Sequence, residues 1–259
     1  MKSIAFFALS LVATAAMATG STGVSTITIS GSSTQTASVN GGKVDNTANS
    51  HAYANQNIAS NKGGVSIGGT SVQTAVLEGA KVSNEAKSAG DVAVQNLASN
   101  VGHVAVNPNV LGGSYQSVYI TGNATLKNSA DSTSNRCSGP NCDDGALAYQ
   151  NAASNMGDIT ITGRSEQGVG ISGGSTSVTN TAKGANTVAV QNMSSNYGKV
   201  TVSGLSKQST SISNGALLAN LATGSYAHAY QNIASNDSCD PPAVVCVGPA
   251  CGPYKLASH

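Results

Sequence analysis

The sequence predicts an all-β fold, a repetitive β-solenoid of stacked strand-turn-strand arches with amyloid-like packing: about five repeats of 40 residues, two arches in each. Three observations predict it. Only 9% of the 259 residues are charged and 4% aromatic, so a broad globular core lacks its usual large rings. The ten Gln recur in register along the chain instead of being scattered. Positions that match between copies lie two residues apart, the period at which side chains share one face of a strand.

Residues 1–18 read as a secretory signal peptide. Lys2 is a minimal basic start, Ile4 to Ala16 an apolar run, and Ala16-Met17-Ala18 a small-x-small cleavage site. The run is too short for a membrane span, so the expected location is secreted, extracellular or at the cell surface. Loss of Lys2 leaves 11 of the 12 basic side chains against 11 acidic ones. A chain that neutral, without a basic run, does not suit nucleic acid as a partner. It also lacks an electrostatic barrier to self-association.

Residues 19–236 carry the repeat. The phrase Gln-Asn-x-Ala/Ser-Ser-Asn begins at Gln56, Gln95, Gln150, Gln191 and Gln231 and ends on Asn61, Asn100, Asn155, Asn196 and Asn236. A second phrase precedes each copy and places Gln35, Gln73, Gln116, Gln167 and Gln208 in alternating apolar strands. Those strands end on Gly41, Gly79, Gly122, Gly173 and Asn214. Gly exchanging only with Asn marks a turn residue at positive φ. Short β-branched strands follow the Asn positions, Val65/Ile67, Val104/Val106, Ile159/Ile161 and Val200/Val202, with Ile27/Ile29 opening the first unit. Helix competes for stretches such as Ala48 to Asn61, but Ser, Asn and Gly are poor helix formers and the period of two opposes it.

An insertion near 131–145 lengthens the third unit and holds Cys137 and Cys142; residues 237–259 form a Cys/Pro-rich tail with Cys239, Cys246 and Cys251. Five Cys in an exported chain make disulfides possible and leave one thiol over or paired between chains. Zinc spacing is missing, so neither metal nor cofactor is expected. The tail breaks the repeat and is expected to cap the C-terminal edge, or to dock on a neighbouring subunit or an outer-membrane partner.

One arch cannot bury its inner face alone, so arches stack in register, apolar over apolar and amide over amide. Amides at strand spacing can hydrogen-bond along the stack. The spacing leaves open whether each arch or each 40-residue unit is one layer, ten layers or five. The pairing of Ser/Gln, Gln-x-apolar and Asn-x-Ala, the last at Val44-Asn46-Ala48 and Val82-Asn84-Ala86, resembles the curli major subunit and, more loosely, the Fap-type fibre proteins of bacteria. That resemblance, over about Ser25 to Asn236, implies a secreted subunit that homopolymerises into amyloid-like fibres of a biofilm matrix, with a nucleator or outer-membrane secretion partner.

Gly168 to Gly173 matches G-x-G-x-x-G, and Gly170 to Gly174 matches G-x-S-x-G, yet both lie inside a copy of the strand-turn phrase. Neither has the strand-then-helix setting its chemistry requires. With carboxylates sparse and Arg136 and Arg164 the only Arg, no enzyme is expected. The alternative to a fibre subunit is a monomeric β-solenoid adhesin or ice-binding module, suggested by outward Thr such as Thr26/Thr28, Thr160/Thr162 and Thr201; Ser66 and Ala105 interrupt that row.

Overall fold

The computed structural model describes residues 26–49, 52–87, 89–101, 104–106, 112–132, 145–156, 159–196, 199–224 and 227–234. The expected signal peptide, most of the insertion, the tail, all five Cys and Asn236 lie outside them. The described chain is all-β. Its first passage forms β1 (Thr26–Ile29), β2 (Ser32–Asn40), β3 (Lys43–Asn49), β4 (Asn55–Ile58) and β5 (Asn61–Lys62). The second forms β6 (Gly64–Ile67), β7 (Thr70–Glu78), β8 (Lys81–Lys87), β9 (Val94–Leu97) and β10 (Asn100–Val101). The third forms β11 (Val104–Val106), β12 (Gly113–Thr121), β13 (Thr125–Asp131), β14 (Tyr149–Ala152) and β15 (Asn155–Met156). Then come β16 (Thr160–Ile161), β17 (Arg164–Ser172), β18 (Ser177–Lys183) and β19 (Val190–Met193). The last passage holds β20 (Thr201–Val202), β21 (Leu205–Ser213), β22 (Leu217–Thr223) and β23 (Tyr230–Ile233). The described residues contain no helix, hence none long and apolar enough to cross a membrane.

Each passage adds one strand to each of the same sheets, in the same order. The first sheet runs β1-β6-β11-β16-β20, the second β2-β7-β12-β17-β21, the third β3-β8-β13-β18-β22 and the fourth β4-β9-β14-β19-β23; a three-stranded fifth is β5-β10-β15. Every pairing is parallel. Parallel neighbours need a long connection, and here the rest of the passage supplies it.

Register settles the layer question. Gln35 pairs with Gln73, and Gln56 pairs with Gln95. A layer per arch would have set Gln35 against Gln56, so the ten-layer alternative falls and the whole passage is the layer. At about 4.8 Å per layer, four spacings separate the first and last layers by roughly 19 Å.

Strand alternation sorts the side chains. In β7, Ser71, Gln73, Ala75 and Leu77 are buried while Thr70, Val72, Thr74 and Val76 are half-buried on the outer face. The principal apolar core lies between the second, third and fourth sheets, where Leu77, Ile120 and Ile171 meet Val82, Leu126 and Val178, and Leu97 and Met193. A column of Ala86, Ala130 and Ala182 packs on Ala93, Ala148 and Ala189. Small residues there let the third and fourth sheets close together. The first sheet buries a separate cluster, including Ile67, Val106 and Ile161.

Candidate functional site

The prominent chemical feature is a set of amide columns inside the wall. In the fourth sheet Gln95 Nε2 donates to Gln56 Oε1 at 2.7 Å, Gln150 to Gln95 at 2.8 Å, Gln191 to Gln150 at 2.6 Å and Gln231 to Gln191 at 2.6 Å. Beside it, Asn96 donates to Asn57 at 2.7 Å, Asn151 to Asn96 and Asn192 to Asn151 at 2.8 Å, and Asn232 to Asn192 at 2.9 Å. Both columns donate toward the N-terminal end. The strand alternation that would expose the Asn is overridden: all four residues of β9, β14 and β19 are buried.

The third sheet carries a column of opposite sense. Asn46 Nδ2 donates to Asn84 Oδ1 and Asn84 to Asn128, each at 2.7 Å; Asn128 donates to Asn180 and Asn180 to Asn220, each at 2.8 Å. From Asn84 onward each amide group also reaches main-chain carbonyls of the neighbouring wall. Asn128 Nδ2 lies 2.6 Å from the Tyr149 carbonyl and 3.1 Å from that of Ala93. Asn220 does the same with Tyr230 at 2.6 Å and Ala189 at 2.8 Å. These Asn cross-brace two sheets and are buried in the middle passages, Asn84, Asn128 and Asn180 at 0% exposure.

The five Gln of the second sheet do not form the continuous ladder that their spacing suggests. Gln73 donates to Gln35 at 3.3 Å. Beyond that pair the amides turn sideways to the Asn that close the Gln-Asn phrase. Gln35 donates to Asn61 at 2.9 Å, Gln73 to Asn100 at 3.1 Å and Gln116 to Asn155 at 3.1 Å, and Gln208 donates to Asn196. Gln167 donates to Ser165 Oγ at 3.3 Å. The Asn link to one another, Asn61 to Asn100 at 2.9 Å and Asn100 to Asn155 at 3.2 Å. Because the Gln donors are spent sideways, the buried Oε1 atoms of Gln73, Gln116 and Gln167 have no hydrogen-bond partner. Carbonyl oxygens tolerate that better than N–H groups do.

The structure places Gly41 at φ 60°, Gly79 at 58°, Gly122 at 65°, Gly173 at 111° and Asn214 at 54°, all in the left-handed region. At Gly122 a Cβ would stand 3.1 Å from Gly79 N and 3.2 Å from Glu78 Cγ, so the turns are stacked as closely as the strands. A second column of left-handed residues carries no such sequence signal: Ala59, Ala98, Ala153, Ser194 and Ala234, at φ 46–53°.

Apart from the buried Asp91, charge among the described residues lies on exposed or half-buried positions. Glu85 accepts from Lys127 and is paired with Lys87 at 2.7 Å. The hydrogen bond from Lys127, then that from Lys87, holds its carboxyl down at about 2. The G-x-G-x-x-G stretch lies across β17 and its following turn, which leads into another strand, β18. Among the described residues no three His, Cys, Asp or Glu gather as a metal set.

The last passage is the exposed end. Val202, Ile212 and Ile233 are 41%, 41% and 40% exposed, directly beyond Ile161, Ile171 and Met193, which are at most 1% exposed. Leu217 and Leu221 on the outer face of β22 are also exposed, where earlier strands place Lys81 and Glu85 or Thr125 and Ser129. No protein-family model matches the chain, and neither a curated protein nor a solved structure matches it.

Proposed function

We propose that this protein is a secreted structural subunit, a β-solenoid of five 40-residue turns, that self-assembles into extracellular amyloid-like fibres of a biofilm matrix or cell surface. One observation carries the reading: three amide columns run through every layer and stop, without a change of chemistry, at the first and last ones. A parallel sheet whose outer strands keep the interior pattern is a template for another strand. Charge, Pro and bulges, the usual blocks on such an edge, are missing from β21, β22 and β23 apart from Lys207. Repeated strand chemistry of this kind accords with the resemblance to curli-type subunits.

The test is assembly of the purified mature chain from dilute solution after removal of denaturant. Electron microscopy is expected to show unbranched filaments, and fibre diffraction a strand spacing of about 4.8 Å along the axis. A chain that stays monomeric across salt, pH and concentration overturns the proposal. Saturable glycan binding or thermal hysteresis by that monomer would instead establish the adhesin or ice-binding alternative.

A further inference from the structure

We infer that two copies mate in one polarity only, the C-terminal end of one subunit on the N-terminal end of the next, with the parallel register carried across the contact and the donors and acceptors of the amide columns complementary there. The inference rests on the fibre reading and adds the contact surface and its register. At the C-terminal end, Gln231 and Asn232 have spent their N–H groups on Gln191 and Asn192, so their side-chain oxygens face outward as acceptors. At the N-terminal end, the oxygens of Gln56 and Asn57 are taken by Gln95 and Asn96. Asn57 is exposed, with a long bond of 3.5 Å from its N–H group to Asn55 Oδ1. Gln56, 7% exposed, makes the same 3.4 Å bond to a carbonyl that the interior Gln make, here to Ser83, and has no Gln before it to take its second N–H.

The third-sheet column reverses the sense. Asn46 donates inward to Asn84, which leaves its oxygen at the N-terminal end as an acceptor. Asn220 presents its Nδ2 at the other end, with two carbonyls already in reach. Asn84 and Asn180 use that same nitrogen for two carbonyls and the next Asn together. Docking the C-terminal end on an N-terminal end therefore makes Gln56 donate to Gln231, Asn57 to Asn232, and Asn220 to Asn46. Joining two like ends needs a two-fold axis across the stack, which reverses the strands, so the parallel register is lost and the amide columns of the two copies no longer continue each other. The apolar rows agree: Val202, Ile212 and Ile233 of one copy meet Ile29, Val39 and Ile58 of the next, the first members of their own rows.

The experiment uses full mature chains with Asn57→Asp, Asn232→Lys, and both changes in one chain. Asn57→Asp keeps the acceptor for Asn96 and removes the outward donor. Asn232→Lys keeps a donor toward Asn192 and removes the outward acceptor. Each single change is expected to slow elongation of seeded filaments at least about tenfold, since a mismatched charge at a junction costs more than one decade of affinity. The double variant restores elongation, because every junction then pairs a carboxylate with an ammonium. Failure of the double variant while both singles are slow overturns the polarity, as does wild-type elongation by either single. Monomer circular dichroism checks the fold; if a variant is not β-rich, Gln56→Glu and Gln231→Lys make the same test one position earlier. A wild-type chain that forms no filaments defeats the fibre reading itself, a separate and recognisable result.

Discussion

Asn84 donates its amide to Asn128 across 2.7 Å although 44 residues separate them in the chain, and both side chains are fully buried. Asn128 in turn serves Asn180 and the carbonyls of Ala93 and Tyr149. One side chain thus ties three layers and two walls. Truncating it takes the donor from the buried Oδ1 of Asn180 and leaves Asn84 with only its two carbonyls, and a buried group without a partner costs its desolvation without return.

Asn128→Ala is therefore expected to destabilise the subunit by about 2–4 kcal/mol, read as a shift of the urea midpoint. Asn128→Asp is expected to cost more, since it sets a carboxylate against two carbonyls in the interior. An Asp variant as stable as wild type would contradict the brace.

The two Gln columns should differ in the same assay. Gln150 receives a bond from Gln191 and gives one to Gln95, whereas Gln116 Oε1 is buried without a partner. Gln150→Leu strands two neighbours and is expected to cost about 2 kcal/mol or more. Gln116→Leu removes an unpaired oxygen and one donor to Asn155, whose Oδ1 keeps the N–H of Asn100, and should stay within about 1 kcal/mol. Equal costs would mean that the second-sheet amides are laddered after all.

Strand periodicity was legible because each matched position faces either core or solvent, and Gly41 to Asn214 were legible because their backbone admits only Gly or Asn cheaply. The layer size was not, since Gln35 and Gln56 carry the same amide and only pairing distinguishes them. Asn57 and its copies stood in the repeated phrase, yet the period of two singled out only the Gln beside them; the structure buries the Asn of the middle passages as well. Ala98 at φ 46° gives no sequence signal at all. Its methyl is buried in the principal core, so side-chain packing there outweighs the backbone preference for Gly.

Gly122 and Asn214 allow a matched test of the turn column. Gly122→Ala meets both a left-handed backbone and a Cβ contact of 3.1 Å with Gly79 N, and should cost about 1–2 kcal/mol. Asn214→Gly keeps the same backbone at an exposed end and should change stability by no more than about 0.5 kcal/mol. Thermal unfolding of the two variants checks the contrast.

Glu85 predicts an acid-dependent loss. Its folded pKa, about 2, lies below the ordinary 4.5, so the unfolded chain binds the proton first as pH falls. The stabilisation is fully present above about 4.5 and is lost as pH falls from there through about 2. Glu85→Gln should flatten the stability profile in that window and leave the slope above it unchanged. A Glu85→Gln profile parallel to wild type throughout the window would remove Glu85 from the account.

Asp91 predicts how the insertion is tolerated. Its buried carboxylate accepts from the backbone N–H of Asp131 at 3.0 Å and of Ala146 at 3.3 Å, and from the Ser132 hydroxyl. Those are the two lips of the insertion, so a single side chain fixes the gap across which the third passage departs and returns. Below it the layers resume register, with Gln150 paired on Gln95. Asp91→Ala removes the acceptor of the Asp131 and Ala146 N–H groups and of the Ser132 hydroxyl, and is expected to cost about 2–3 kcal/mol. Asp91→Asn keeps one good acceptor oxygen and should fall between. Amide hydrogen exchange at Asp131 and Ala146 is expected to accelerate in Asp91→Ala well beyond the change at Gln191, one layer further on. Protection lost equally at all three positions would show a global effect and deny Asp91 the local clamp.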